Sequence, residues 1–469
     1  MPLDLLDPEG SPLSYDWGYS ASASEGRRVP YMQGKVMGGG SAVNGTIALR
    51  GMPSDYDGWA SAGNDAWSWS NVLPVFTAIE RDLDFHDAWH GSEGPIPIRR
   101  PAPAELTALS HAFVDACVQR GLAYVADHQD PAGSGVGPIP FNQDEGRRIS
   151  TALAYLTPGV RARPNLTIMA RTHALALLVA GGRLAGVRVR RGATIEDLEA
   201  RQVVLAAGAI GTPTVLLRSG IGPVRALENV GIDVVADVPG VGANAIDHPA
   251  VLLLMRSRGG GGADSGPAAQ VLARYTSSPA FPPNDMQLFL INRQQLAIST
   301  PEYVEEAGVS MLTAIAAAVA KPYSRGSLTL RSADPEVPPL VDPGILSDDR
   351  DLARLIDGTA LAGEIALSPE MEPFSDGPVV FDEEIFRDAA SLREAVKLTA
   401  IPWLHLVGTA RMGPANDDHA VADQYGRVRS LPGVWIADSS LMPDIPSANT
   451  NLATIMIAER VAGWLRSGM

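Results

Sequence analysis

RQVVLAAGAIGTPTVLLRSGIG, Arg201 to Gly222, decides the fold class. Arg201 to Ala209 reads as a buried apolar strand ending in small residues, and GTPTVLLRSG reads as the helix that follows. A strand that passes through Ala206, Ala207 and Gly208 into a helix is where an open α/β sheet admits a nucleotide, because small side chains let a ligand approach the backbone. Ordinary packing of a helix on a sheet asks for the same residues, so the stretch speaks to architecture before function. Working outward, ALALLVA and LAGVRVRR predict strands joined by a tight turn at Gly181-Gly182, and NLTIM predicts another after a turn near Asn165. STALAYLT predicts a short helix. Near the end, GVWIAD, Gly433 to Asp438, predicts a buried strand closing on a carboxylate. LATIMIAERVAGWL, Leu452 to Leu465, predicts a helix with Leu452, Ile455, Val461 and Leu465 on one stripe and Glu459 and Arg460 facing away.

The opening forty residues, rich in Pro, Ser and Gly, read as loop. GKVMGGGSAVNGTIALRG, Gly34 to Gly51, reads as a glycine turn entering a helix. Residues 66–80 predict a helix capped by Ser70, and 104–121 predict a second, amphipathic one. Residues 251–400 have a different character. VLLLM, MQLFL and SMLTAIAAAVA predict strands there, and Gly259 to Gly262 reads as a flexible crossover or as a lid over a pocket. Both ends of the chain therefore share an α/β pattern that the middle lacks. The predicted organisation is a discontinuous domain of residues 1–60, 150–250 and 405–469, with a second, antiparallel-sheet domain of 61–149 and 251–404 inserted into it.

Composition narrows the function. The chain has 469 residues, 45% hydrophobic and 19% charged, which supports a large core and two domains. A net charge of −16 repels nucleic acid and anionic lipid, so neither is an expected partner. Cys117 is the single cysteine and cannot form an internal disulfide, which suits a reducing compartment; its apolar neighbours place it in the core. No run approaches the ~20 apolar residues of a membrane span. The opening MPLDLLDPEG lacks the basic-then-apolar pattern of a signal peptide, so a cytoplasmic location is expected.

Three clusters bear chemistry. Gly38, Gly39, Gly40, Ser41, Asn44 and Gly45 would bring backbone amides close to a large ligand, although a tight turn packing a helix on a strand needs the same residues. The second cluster is the strand-to-helix stretch around Gly208. The third is HLVGTARMG, His405 to Gly413, with SANTNLATIM, Ser447 to Met456, downstream. None of the eight histidines has metal-ligand spacing, and no metal is expected. His405 alone would pass for a structural residue; its company raises it, with a glycine turn after it, a strand beyond, and Asn449 just before a helix. Trp403 and Leu404 beside it suggest an apolar wall, or side chains that pack the core. The unpaired N-terminal amides of the helix after Asn449 carry roughly half a positive charge. Aimed at a ligand that gains negative charge, they would stabilise the charge that forms there. Asp438 is placed to accept hydrogen bonds from the hydroxyls of a ligand, or to cap the turn SSLMP that follows it.

In this order the clusters resemble the glucose–methanol–choline (GMC) oxidoreductases. GKVMGGGSAVNG and GAIGTPTVLLRSGIG are similar to the family's two signatures, and HLVGTARMG and SANTNLATIMIAER to its active-site histidine motif and C-terminal helix. DYDGW, WSWSNVLPVF, HGSEGPIPI, RPNLTI, PYSRGSLTLRSADP and IADSSLMP add to the likeness, which covers nearly the whole chain and is nearest to choline dehydrogenase-like and hydroxymethylfurfural oxidase-like members. The resemblance implies an α/β fold (α+β overall) with a discontinuous Rossmann-like FAD-binding domain and an inserted substrate domain. It implies FAD as cofactor, a small alcohol as substrate, and oxygen, a quinone or another acceptor as partner. His405 matches the catalytic base, taking the hydroxyl proton while the carbinol carbon passes a hydride to flavin N5. Asn449, counted back from Glu459, matches the second active-site position. Flavin-contacting stretches match Gly38, Gly39, Gly40, Ser41, Asn44, Gly45, Thr46, Ala206, Ala207, Gly208, Ala437, Asp438, Asn449, Thr450, Asn451 and Leu452; His173 and Ala174 match an adenine contact, and His248 in DHP a structural motif.

The sequence departs from the family at its start. Members open with a strand, a GxGxxG turn and a helix, and here GSGVG (133–137), GIGPV (220–224) and PGVGAN (239–244) do not replace that unit. The expectation is a fold without its N-terminal βαβ unit, from a misassigned start codon or a truncated gene; real truncation would weaken flavin affinity and expose apolar sheet edges. Two rival readings stay open: a hydroxynitrile-lyase-like enzyme with structural flavin, and an inactive homologue without FAD. A serine hydrolase is a remote fourth reading, since no GxSxG elbow is present.

Overall fold

The protein is described here from a computed structural model, which covers residues 13–258, 268–295 and 311–468. The glycine run Gly259 to Gly262, with its lid reading, lies outside the described residues.

The apolar run Val251 to Met255 has no polar alternation because both faces of its strand are covered. Val251, Leu253 and Met255 pack into one core cluster with Phe113, Leu355, Ile365 and Val396; these four sit on the helices Ala108–Gln119, Asp349–Ala366 and Ala389–Thr399. Leu252 and Leu254 face the opposite way, into a cluster with Phe141, Phe289 and Ala448. Their strand, Pro249–Ser257, belongs to a seven-stranded antiparallel sheet. The order is Ser375–Pro378, Pro249–Ser257, Met311–Val319, Met286–Gln295, Ala269–Tyr275 and Gly135–Pro138. The seventh strand, Ile401–Pro402, also pairs with Pro249–Ser257, Ala250 opposite Ile401. That short pairing delivers the chain directly to Trp403, Leu404 and His405.

The second half of the molecule is built around a parallel pair, Val203–Leu205 and Val434–Ile436, in register Val203 to Val434 and Leu205 to Ile436. The first strand runs into the helix Gly208–Arg218, and the second ends at Asp438. The strand-to-helix crossing expected of an α/β fold is thus present. The hairpin Thr172–Ala180 and Arg183–Arg191 turns at Gly181 (φ 57°) and Gly182 (φ 73°). Two successive positive φ angles are what a twisted two-residue hairpin turn requires. The helix Asn451–Ser467 lies against the helix Trp69–Ile79, and their side chains share a large cluster with the parallel pair.

Several local expectations need correction. The opening residues are not all loop: Tyr19–Ser22 and Arg28–Tyr31 pair antiparallel, and Ala21 lies beside Val341 in a parallel bridge. Only the four residues Arg28–Tyr31 alternate in burial, too short a run to signal a strand by itself. NLTIM forms no strand; Leu166 and Ile168 are more than a third exposed and the segment has no ladder partner among the described residues. Thr194–Glu199 is a strand that the polar sequence TIEDLE concealed. The glycine segment forms only a 3-10 turn, Gly39–Ala42, since three glycines oppose helix propagation. The N-cap of the helix Trp69–Ile79 is Ser68, not Ser70. The expected buried strand Arg201 to Ala209 shrinks to three residues, and Val204 is 45% exposed because the strand has a single neighbour among the described residues. Arg460 does not face away: its guanidinium covers the Trp67 and Trp464 rings and donates to the Asn71 and Ala66 carbonyls, so its charge is held without leaving the apolar stripe.

Candidate active site

One cavity of about 1370 Å³ lies between the parallel pair, the glycine turn and the end of the antiparallel sheet. An ordinary small-molecule pocket holds roughly 300–1,000 Å³, so this space suits a large ligand together with a small one. Of the residues expected to meet a cofactor, Gly38, Gly39, Gly40, Ser41, Asn44, Gly45, His173, Ala174, Ala206, Ala207, Gly208, Ala437, Asp438, Asn449, Thr450 and Asn451 line it. The side chains of two others do not reach it. Thr46 is fully buried, with its hydroxyl accepting from Gln143 Nε2, and Leu452 packs in the core.

The glycine turn is shaped from within. Gly38 (φ 99°) opens it, and Ser41 Oγ donates to the Gly38 carbonyl at 2.6 Å while accepting from the Thr151 amide at 3.0 Å. A Cβ at Gly38 would press on Ala152 and Ala42 at 3.2 and 3.3 Å, so that glycine serves packing. At Gly39, Gly40, Gly45 and Gly208 a Cβ would meet nothing within 4 Å. Those positions are bare toward the cavity, which is the form of a cradle for a ligand lying against the backbone.

Asp438 joins the two strand ends. Its Oδ2 accepts from the Gly208 amide (2.9 Å) and Thr212 Oγ1 (2.5 Å), and its Oδ1 from the Ser440 amide (2.9 Å) and Ser440 Oγ (2.6 Å). Four donors fill the acceptor sites of a carboxylate. The side chain therefore acts as the cap of the turn after it and as a clamp on the start of the helix Gly208–Arg218. Burial raises its pKa, and the Ser440 and Thr212 hydrogen bonds pull the other way.

The helix Asn451–Ser467 points its first turn at the same cavity. Thr450 caps it without a side-chain hydrogen bond, and no acidic residue sits in the first turn. Its amide partial charge is left for whatever enters. Asn449 Oδ1 and Asn451 Nδ2 are buried and without partners, another sign of a polar ligand here. At the far end His173 packs against Trp17, ring centroids 5.1 Å apart, with Arg190 3.3 Å from its Nδ1. Trp17 and Arg190 carry no signal in the sequence, since nothing nearby in the chain marks them.

His405 and Asn449, 44 residues apart, meet in one wall: Asn449 Nδ2 is 3.0 Å from His405 Nε2. Asn451, the neighbouring asparagine in the motif, does not take this place. Behind His405 stands His248, with the two Nδ1 atoms 3.0 Å apart and the rings nearly perpendicular at 77°. Asp247 fixes the backbone: its Oδ1 accepts from the amides of His248 (2.7 Å), His405 (3.0 Å) and Trp403 (3.2 Å), and Tyr31 donates to its Oδ2. The clamp spans Leu404, which holds a left-handed φ of 64°, costly for a leucine by roughly 1–3 kcal/mol. Trp403 and Leu404 line the cavity, which makes them a wall beside His405 rather than core filling alone. Burial lowers His405 well below the usual imidazole value, and the neighbouring His248 adds to this. Burial also pushes His248 down to about 4 and Asp247 up to about 7, the latter against the pull of its four donors. Both rings are thus neutral near neutral pH. Cys117, away from this site, is buried and pushed up to about 12, an inert core thiol.

Comparison with known proteins supplies the deciding observation. The GMC oxidoreductase family profiles match residues 15–250 and 322–458, one for each half of the family's architecture. The chain belongs to the GMC oxidoreductase family. Among its relatives, the 5-(hydroxymethyl)furfural oxidase of Methylovorus sp. (strain MP688) is 37% identical over 450 residues, covering 92% of this chain and 82% of that protein. The oxygen-dependent choline dehydrogenase of Brucella melitensis is 30% identical, covering 96% and 85%. Among solved structures, pyridoxine 4-oxidase from Mesorbium loti superposes with a TM-score of 0.90 at 28% identity, covering all of this chain and 92% of that one. The α/β fold of a GMC oxidoreductase follows from these matches, and so does an enzyme rather than a binding protein. Among the described residues no cluster of His, Cys, Asp or Glu could hold a metal, and no helix is long and apolar enough to cross a membrane.

Proposed function

We propose that this GMC oxidoreductase binds FAD in the cavity and oxidises a primary alcohol to an aldehyde, with His405 as base and Asn449 as its partner. The carrying observation is the meeting of His405 Nε2 and Asn449 Nδ2 at 3.0 Å in the wall of a cavity of about 1370 Å³. The residues present fit FAD. Bare glycines at 39, 40, 45 and 208 leave room for an extended ligand, and the uncapped helix start offers positive potential to an anionic edge. Orphaned amide atoms on Asn449 and Asn451 await polar partners.

When bound, FAD supplies the acceptor for the hydrogen on the carbinol carbon. The chain's own groups handle the hydroxyl. An alcohol entering between His405 and Asn449 donates its proton toward Nε2 and accepts from Asn449 Nδ2. Neutral His405 is ready to take that proton, and general-base help of this kind is worth roughly 10²–10⁴ in rate. Trp403 and Leu404 exclude water from one side. The apolar wall and the relatives' substrates, a furfural alcohol among them, favour a small primary alcohol. Residues 1–60, 150–250 and 405–469 would form the FAD-binding unit in this reading, and 61–149 with 251–404 the substrate-binding unit. Oxygen or a quinone-like acceptor would take the electrons onward.

The test is a panel of primary alcohols given to the FAD-loaded protein with a dye acceptor, with and without oxygen. Aldehyde formation is expected for at least one. No turnover of any alcohol, with cyanide released from a cyanohydrin instead, would replace this reading with a lyase.

A further inference from the structure

Four polar groups form a line through the site: the Pro446 carbonyl, His248, His405 and Asn449. His248 Nε2 is 3.2 Å from the Pro446 carbonyl oxygen, and its ring is buried. A carbonyl has no proton to give, so the contact requires hydrogen on His248 Nε2. His248 is neutral, so its Nδ1 is a bare lone pair. The facing Nδ1 of His405, 3.0 Å away, must then donate. With one proton on a neutral ring, His405 Nε2 is bare, and the Asn449 amide donates to it. One proton assignment satisfies these three contacts. The opposite tautomer of His405 would set two lone pairs against each other at the Nδ1–Nδ1 contact, which turning the Asn449 amide over does not relieve, a disfavour of roughly ten- to a hundredfold.

We propose that His248 is a positioning residue that fixes the tautomer of His405, keeping its Nε2 unprotonated toward the substrate, with the Pro446 carbonyl as the anchor. The inference deepens the alcohol-oxidising reading and rests on it for its catalytic meaning. The anchor is itself held on both sides. Lys321 Nζ donates to the Ile445 carbonyl and to Asp444, and Asp55 Oδ2 accepts from the Ser447 amide at 2.9 Å and Ser447 Oγ at 2.7 Å. Gln287 Nε2 donates to the Ser447 carbonyl at 3.0 Å. The Pro446 carbonyl therefore cannot turn away without breaking buried bonds. At the other end, the His248 amide is tied to Asp247 and its carbonyl to the Trp403 amide. The DHP segment thus does more than pack: it passes a fixed polarity from a backbone carbonyl to a base two rings away. This is the second-neighbour control by which imidazole tautomers are set in other sites.

The test reads the tautomer directly, by long-range proton–nitrogen correlation spectra of protein labelled with nitrogen-15 histidine. In the wild type at neutral pH, His405 should show a protonated Nδ1 and a bare Nε2, and His248 the reverse. His248→Asn places a carbonyl oxygen near the former Nδ1 and should keep the His405 tautomer. His248→Leu removes the acceptor and should give a mixture with Nε2 protonated, together with a fall of roughly tenfold or more in kcat that His248→Asn largely restores. A wild-type His405 with its proton on Nε2 would overturn the proposal, and so would an unchanged tautomer in His248→Leu. Because the wild-type spectrum needs no turnover, a protein with this tautomer that oxidises no alcohol would refute the proposed function and leave the relay standing.

Discussion

His405→Ala should lower kcat for alcohol oxidation by roughly 10²–10⁴-fold while the protein stays folded and keeps its flavin. The His405 side chain makes two hydrogen bonds, to Asn449 and His248, whereas its backbone amide bond to Asp247 survives in alanine. The clamp across Leu404 therefore persists, and the lost imidazole leaves space continuous with an existing cavity. Steady-state rates beside flavin absorbance and thermal melting separate the two effects; equal rates in variant and wild type would remove His405 from the chemistry. The pH profile carries the same information. The base works as neutral imidazole, and its pKa is depressed, chiefly by burial. The active form thus survives below the ordinary imidazole value of about 6.5, and the acid limb of kcat/KM should lie below that pH, activity falling as pH drops through the lowered pKa.

Gly40→Leu should abolish most FAD binding and leave the fold intact. Gly40 has no positive φ, and a side chain there meets no protein atom within 4 Å. The added leucine would project into the proposed cofactor space, where an overpacked contact of ~1–3 kcal/mol means a loss of roughly 10–100-fold in affinity. Its effect on the protein without FAD should stay within about 0.5 kcal/mol, as for an open surface position. Gly38→Ala is the contrast: its φ of 99° and the close Ala152 and Ala42 contacts predict destabilisation of the fold itself. FAD titration and thermal melting of both variants distinguish the two glycines. A Gly40→Leu protein that binds FAD as the wild type does would move the cofactor elsewhere.

What is legible in the sequence, and what is hidden, divides along physical lines. Elements whose pattern is local are readable: the helix Asn451–Ser467, the Gly181-Gly182 hairpin and the strand around Val251 to Met255. Elements that exist only because of distant partners are not. The short hairpin Tyr19–Ser22 and Arg28–Tyr31 joins its sheet through Val341, more than three hundred residues away, and Val204 reads as buried because an apolar strand does not announce how many neighbours it has. The same holds at the site. His405 and Asn449 stand out through motif resemblance, and the geometry brings them together. The Pro446 carbonyl, Tyr31 and the clamp of Asp247 leave no trace, because a backbone oxygen has no letter in a sequence and a buried tyrosine looks like any core aromatic. Asp438 is legible at the right place, but the four donors around it show that its carboxylate is already occupied in holding the fold together.

The most direct measurement is anaerobic mixing of the FAD-loaded protein with excess 5-(hydroxymethyl)furfural or another primary alcohol, following the flavin's visible absorbance in a single turnover. Alcohol oxidation through His405 predicts complete bleaching with one aldehyde formed per flavin, and a reaction slowed by at least roughly a hundredfold in His405→Ala. Absorbance that stays unchanged with every alcohol tried, in protein shown to hold FAD, would contradict it.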